Sequence, residues 1–315
     1  VDHVLRWSGD KRLLNVMYHG VVRKDSTWFS PRHVTEEAFR QQLAYLKRNF
    51  NVVSIADAFQ MRSERQRPKR HTVTISFDDG YLNNLEVALP IIEEFALPVT
   101  IFTLGPCAEA DGDRVLWPDL ITLLRDQRDV HLETTGSNYD LFIERSRGSH
   151  LFDDLKSAMP DARDAALREL AERYRLEEKL EGLDPHIWQL MGPLQLQALA
   201  GSRCIEIGSH GYAHYNLGLV PLEVAEMDMR NSKSALERLL GRAVESIAYP
   251  DGSYSSAVKD IAERMGFKRQ LAVDYRCAED PGDLRIQSRH GIPATTSTAS
   301  SMLFLNLAFA SRGVI

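Results

Sequence analysis

The sequence predicts an α/β fold, a distorted (β/α) barrel of about seven strands with a large α+β insertion. Two observations carry that expectation. Short apolar, β-branched runs recur along the chain with amphipathic helical patterns between most of them, the sign of right-handed βαβ units around a parallel sheet. Three of these runs also lead directly into titratable clusters, as strand ends do where a parallel barrel gathers its chemistry on one face. With 315 residues, 43% of them hydrophobic, the chain can bury a full core, and no linker divides it, so one domain over 1–315 is expected.

Taken in order, the first run, Leu13 to Met17, leads into Tyr18-His19. Thr35 then caps a helix over Glu36 to Arg48 that carries Phe39, Leu43 and Leu46 on one face. The run Val73 to Phe77 ends in Asp78-Asp79-Gly80, and Val99 to Thr103 follows it. From Thr103 to the next run at Cys204 lie roughly a hundred residues, where a crossover needs about a dozen. The excess, 106–190, reads as an insertion. Within it Val130 to Thr134 and Tyr139 to Ile143 flank Gly136-Ser137-Asn138 as a β-hairpin. Behind Pro160, Asp161 to Leu180 reads as one amphipathic helix with Leu167, Leu170, Ala171 and Tyr174 on its apolar side. Because the insertion leaves from the C-terminal end of a strand, it starts at the expected catalytic mouth, as a lid or substrate wall; a decorative surface subdomain is the alternative. Cys204 to Ile207 then leads to Ser209-His210-Gly211-Tyr212-Ala213-His214. A helix over Pro221 to Leu240, the run Val244 to Tyr249 stopping at Pro250-Asp251-Gly252, a helix over Ser255 to Met265, the run Lys268 to Val273 and a weaker one at Leu284 to Gln287 complete the chain.

Composition excludes several function classes. A net charge of -6 without a basic stripe argues against nucleic acid as partner. Three cysteines, Cys107, Cys204 and Cys277, describe neither a disulfide framework nor a Cys-type zinc site. No run approaches the ~18 apolar residues of a membrane span, and no signal-peptide pattern opens the chain. Since it starts at Val1 and not at Met, an upstream segment stays open, and with it the choice between cytoplasm and periplasm or exterior.

The chemistry rests on a doubled carboxylate. Asp-Gly after a strand is ordinary turn chemistry, but two adjacent negative charges at a buried strand end repel unless something positive offsets them. A divalent cation would do so. Asp79, His210 and His214 would give it three protein ligands and leave open positions, which marks a catalytic and not a structural site. The four-residue spacing lets both imidazoles face one point if the segment takes a helical turn, although such a pair is weak evidence alone in a chain with ten histidines. Asp78, left uncoordinated, would be the general base for an attacking water whose pKa such a metal lowers to about 7. An amide also needs an acid for its leaving amine, and His19 and His290 compete for that duty. The Asp251 N–H, just after Pro250, is a candidate oxyanion donor, though its segment also reads as a plain turn.

These residues resemble the polysaccharide deacetylases of the NodB-homology type, carbohydrate esterase family 4. The family's (T/S)FDDG motif is matched by Ser76 to Gly80 and implies Asp78 as base and Asp79 as metal ligand. Its H(S/T)xxH motif is matched at His210 and His214, with Gly211 where a supporting hydroxyl residue usually stands. Its RxPYG motif appears as Ala248 to Gly252, so Ala248 replaces the arginine that orients the base, and Arg289 or Arg285 is expected to take over. A DxxxW-type motif is not evident. The Tyr18-His19 pair is similar to the branch with a circularly permuted barrel, as in exopolysaccharide poly-N-acetylglucosamine deacetylases, which maps the acid onto His19. The resemblance spans roughly residues 13 to 292 apart from the insertion. It implies a metal-dependent hydrolase that removes N-acetyl groups from amino sugars of a glycan. It also implies one divalent ion, Zn2+ by default, with Co2+ or Ni2+ admitted by the ligand types. Two other readings stand beside it, a metal-dependent amidohydrolase of small cyclic amides or ureides and a glycan-binding module that has lost catalysis. Intact Asp78, Asp79, His210 and His214 argue against the second.

Overall fold

The computed structural model describes residues 12–23, 32–110, 112, 115–125 and 151–292. Its centre is a closed parallel barrel of seven strands: β1 (Leu13–Tyr18), β2 (Thr72–Phe77), β3 (Val99–Thr103), β4 (Ile205–Ser209), β5 (Ser246–Ala248), β6 (Arg269–Ala272) and β7 (Ile286–Gly291). Closure is made by β1, which pairs with β2 at Leu14 opposite Val73 and with β7 at Asn15 opposite Arg289. The expected strands are all present, shifted at their ends by a few residues. Two short parallel strands that the sequence reading lacks, Gly20–Val22 and His33–Thr35, flank the C-terminal end of β1.

Side-chain alternation decides what faces where. Val16, Ile75 and Phe77 point outward into the main apolar core, where α1 (Glu36–Asn49) packs Phe39, Leu43 and Leu46 against them. Phe39 lies edge-on to Tyr18 and Phe77, with ring centroids 5.2 Å and 5.5 Å away. The Thr35 hydroxyl accepts from the Ala38 N–H at 3.3 Å, and acidic residues in the first turn with basic ones in the last suit the helix dipole. Residues one step along the strands point inward. There Asn15 donates to Gln287 Oε1 at 2.9 Å and accepts from Thr74 Oγ1 at 2.7 Å, so the barrel interior carries a hydrogen-bonded polar column and not only apolar layers. Helix α2 (Ile55–Ser63) adds Ile55 and Phe59 to a separate cluster with Phe102, Ala248 and Leu271.

The insertion has its own small core. Trp117 and Ile121 of α3 (Trp117–Arg125), Leu155 of α4 (Leu151–Ser157), Ala166 and Leu170 of α5 (Pro160–Arg173) and Leu176 and Leu180 of α6 (Leu176–Glu181) bury one another. The single helix expected over Asp161 to Leu180 is therefore two. Arg175 breaks it with a left-handed φ of +50°, and the break folds Leu176 and Leu180 back into the cluster. The hairpin expected at 130–143 lies outside the described residues. Beyond the insertion α7 (Leu222–Leu240) and α8 (Ser256–Arg264) cover the remaining strands, and among the described residues no helix is long and apolar enough to cross a membrane.

Two substitutions at α1 separate packing from capping. Phe39→Ala should cost about 3–5 kcal/mol in urea unfolding, and Thr35→Ala about 1 kcal/mol. Equal losses would mean that Phe39 does not anchor α1 to β1 and β2.

Candidate metal centre and active site

The inward step along β2 runs through Thr74 and Ser76 and ends on Asp78. Arg289, inward on β7, meets it from beyond β1: Nη1 donates to Asp78 Oδ1 at 2.6 Å and Nη2 to Oδ2 at 2.7 Å. This two-pronged geometry belongs to arginine and carboxylate alone among side-chain ion pairs. Arg289 is 1% exposed and Asp78 3%. Burial by itself would raise the Asp78 carboxyl, but the Arg289 guanidinium together with the nearby His210 and His19 outweighs it, and the pKa lies below the ordinary carboxylate value. Of the two arginines expected to compensate for Ala248, Arg289 makes this contact. Arg285 is committed elsewhere, to Asp283, Asp260 and Glu263.

Asp79 turns the other way. Its φ of +74°, disfavoured for a residue with a Cβ, carries the carboxylate away from Arg289. Asp79 Oδ1 stands 3.4 Å from both His210 Nε2 and His214 Nε2. The His210 Nδ1–H donates to Ala248 O at 2.9 Å, which leaves the Nε2 lone pair directed at Asp79. His210 and His214 do not converge through a helical turn, as expected from their spacing. They sit on an irregular loop with positive φ at Gly211 (+78°) and His214 (+52°), which brings the ring centroids to 5.2 Å. Burial pushes the His210 imidazole down, while Asp78 and Asp79 pull it up, and the net shift is upward.

Gly211 explains its own departure from the motif. A Cβ there would lie 2.6 Å from Asp228 Oδ2. The buried Asp228 of α7 occupies that space and accepts the Tyr212 and Ala213 N–H groups, each at 2.8 Å, so a carboxylate supports the loop where a hydroxyl is absent. Sequence reasoning missed Asp228. Its signal was a carboxylate on the face of α7 that also buries Ala225, Met229, Ser232 and Leu236.

One atom of each of Asp79, His210 and His214 lies within 4.8 Å of the others, and Asp79 Oδ1 is buried without a hydrogen bond. A buried carboxylate oxygen facing two imidazole nitrogens without a hydrogen bond is costly unless a cation joins them. The set fits a divalent metal. Among the described residues a second cluster, Glu279 and Asp280 beside Cys277, is already tied to a protein cation, Lys259, which donates to Glu279 at 3.0 Å and also to Asp280.

The remaining expected residues separate clearly. His19 follows β1 in step with the inward Asn15, its carbonyl accepts from Asn84 Nδ2 at 2.9 Å, and its ring feels Asp79, Asp78 and His210. Burial lowers its pKa against the pull of the two carboxylates. His290 neighbours the inward Arg289 on β7 and so points outward, away from the site. Asp251 has φ +53°, and the turn's own bonds run from Gly252 to Tyr249 O and from Ser253 to Pro250 O, both at 2.9 Å, leaving the Asp251 N–H outside them. Its carboxylate takes a bond from Lys156 Nζ of the insertion at 2.7 Å.

Residues 65–269 match the family profile described as Polysaccharide deacetylase. Protein YxkH of Bacillus subtilis (strain 168) is 28% identical over 91 residues, a stretch that covers 29% of this chain and 31% of that relative. Among solved structures, the Streptococcus pyogenes deacetylase PplD in complex with acetate superposes with a TM-score of 0.59 at 16% identity, covering 94% of this chain and 98% of that one. IcaB from Ammonifex degensii gives 0.59 at 16%, covering 94% and 96%. A de-N-acetylase from Aggregatibacter actinomycetemcomitans gives 0.56 at 16%, covering 93% and 100%. At such identities these likenesses establish the fold.

Arg289→Met should leave Asp78 as an unpaired buried charge and cost about 3–5 kcal/mol in thermal or urea unfolding. Arg285→Met, made at the exposed cluster, should cost no more than about 1 kcal/mol. A reversed order would show that Arg285, not Arg289, neutralises the barrel interior.

Proposed function

The chain belongs to the polysaccharide deacetylase family, and on that premise we propose that it hydrolyses the N-acetyl groups of amino sugars in a glycan, releasing acetate and a free amine. The observation that carries this reading is the division between two consecutive buried carboxylates, Asp78 held by Arg289 and Asp79 turned toward two imidazoles. Asp79, His210 and His214 would hold one divalent ion, which when bound supplies Lewis-acid polarisation of the acetamide carbonyl and lowers the pKa of the attacking water. Zinc suits two imidazoles and one carboxylate, and cobalt or nickel satisfies the same donors.

Asp78 takes the proton from the attacking water. Each of its oxygens accepts one bond from Arg289 and retains a lone pair for this purpose, and the guanidinium keeps it ionised until the proton arrives. The Asp251 N–H is assigned to the oxyanion that develops on the former carbonyl. His19 protonates the nitrogen as the C–N bond breaks, so that an amine leaves and not an amide anion. In this reading the acid comes from the first strand, as in the permuted branch that the Tyr18-His19 pair resembles. The insertion walls one side of the mouth, a role supported by the Lys156 contact with Asp251.

Mass-spectrometric detection of acetate from N-acetylglucosamine oligomers, with cyclic amides and ureides run in parallel, tests the activity and separates it from the small-amide alternative. Turnover of the cyclic compounds without acetate release would overturn the glycan assignment. Asp78→Asn should keep the metal and lose about 10²- to 10⁴-fold in turnover; near-normal rates in the metal-loaded variant would remove Asp78 as base. His19→Ala should cripple hydrolysis of an N-acetyl sugar yet spare much of the activity on an activated acetate ester, whose leaving group needs no proton. His290→Ala should do neither. The opposite pattern in these two variants would move the acid to the last strand.

A further inference from the structure

Arg163 belongs to the insertion, yet its guanidinium ends on the loop that carries His210 and His214. Helix α5 buries Pro160, Ala166 and Leu170, and Arg163 lies in line with them at 5% exposure. A guanidinium is costly to bury unless its donors are satisfied, so the partners it chooses are informative. Nη2 donates to Ala213 O at 3.0 Å and Nη1 to His214 O at 3.3 Å. Nε and Nη2 also bond Asp164 Oδ1, at 3.0 Å and 2.9 Å. The cation lies 4.2 Å from the Tyr215 ring centroid and 5.6 Å from that of Trp117, and the Trp117 indole N–H itself reaches His214 O at 3.5 Å.

The two carbonyls have a particular relation to His214. Ala213 C=O belongs to the peptide plane before the His214 Cα, and His214 C=O to the plane after it, so one planar cation bonded to both restrains φ and ψ of that residue together. His214 needs such restraint. At φ +52° it occupies the left-handed region, which persists in a residue with a Cβ only where the surroundings over-determine it. Asp228 grips the same peptide run from the opposite side through the Tyr212 and Ala213 N–H groups. Of these two supports one comes from the barrel's own helix and the other from the insertion.

We propose that Arg163 is a positioning residue of the metal centre, which holds His214 in its left-handed conformation and so aims Nε2 at Asp79. The inference rests on the reading of Asp79, His210 and His214 as a metal site. It makes the insertion a structural part of that site, whereas a segment acting only as a wall would leave metal binding untouched. Lysine cannot replace the contact, because a point charge does not span two carbonyls as the planar fork does.

The test is zinc affinity of the full chain, measured by competition with a chromophoric chelator, together with the visible spectrum of the Co2+-loaded protein. Arg163→Met keeps the apolar stem and loses the donors. It should weaken zinc binding about 10- to 100-fold and shift the cobalt bands, while Arg168→Met, on the exposed side of α5, should change neither. Unaltered affinity and unaltered bands in Arg163→Met would overturn the proposal, even if its melting temperature fell. Should circular dichroism show that variant unfolded, Arg163→Lys decides instead: weaker zinc binding is expected, and wild-type affinity overturns it. His210→Ala run alongside keeps the two readings apart. If it binds zinc like the wild type, the metal site itself is wrong; if it loses zinc while the Arg163 variants do not, only the role of Arg163 fails.

Discussion

Two buried carboxylates on consecutive residues impose the constraint around which this molecule is built. Neighbouring negative charges at a strand end cannot both be ionised out of water unless each has its own source of positive charge. The barrel separates the two demands in space. Asp78 continues the inward step of β2 and meets Arg289, and Asp79, turned by a left-handed φ, faces the two histidines. Barrel closure is therefore more than architecture here. Arg289 and Asp78 stand on strands that touch only through β1, so the pair exists because β1 seals the gap between β7 and β2.

The second demand is met by irregular backbone. The segment from His210 to His214 departs from helix and strand, and its polar groups are tied to different parts of the fold. The His210 N–H donates to Thr103 O at 2.8 Å, Gly211 O accepts from the Gly105 N–H at 3.0 Å, and Asp228 and Arg163 hold the peptides from Tyr212 to His214. Such a loop can keep two residues in left-handed conformations because it is anchored in β3, in α7 and in the insertion. Both buried charges reach this loop, Asp228 through the Tyr212 and Ala213 N–H groups and Arg163 through the Ala213 and His214 carbonyls.

Much of this was legible in the residues. Six short apolar runs and a weaker seventh at Leu284 to Gln287 identified the seven barrel strands, and the Thr35 cap marked the start of α1 to the residue. Asp78, Asp79, His210 and His214 stood out because each follows one of those runs. The limits have physical causes. A spacing of four suggested a helical turn for the histidines, since spacing carries no information about the sign of φ, and Gly211 was the only hint of it. The continuous amphipathic pattern from Asp161 to Leu180 concealed the break at Arg175, where burial of Leu176 and Leu180 overrode the local preference for helix. Asp228 and Arg163 were hidden among surface-type residues on helices.

By itself the sequence determined the strand and helix inventory, the parallel barrel and the chemical character of the strand ends, because these arise from periodicity and from residue types repeated over short windows. Tertiary structure alone decided which arginine meets Asp78, that His19 faces inward and His290 outward, and that an insertion distant in sequence braces the loop of His214. Each of these depends on register between strands or on contacts between segments tens to hundreds of residues apart, and the patterns along a single segment do not encode such distances.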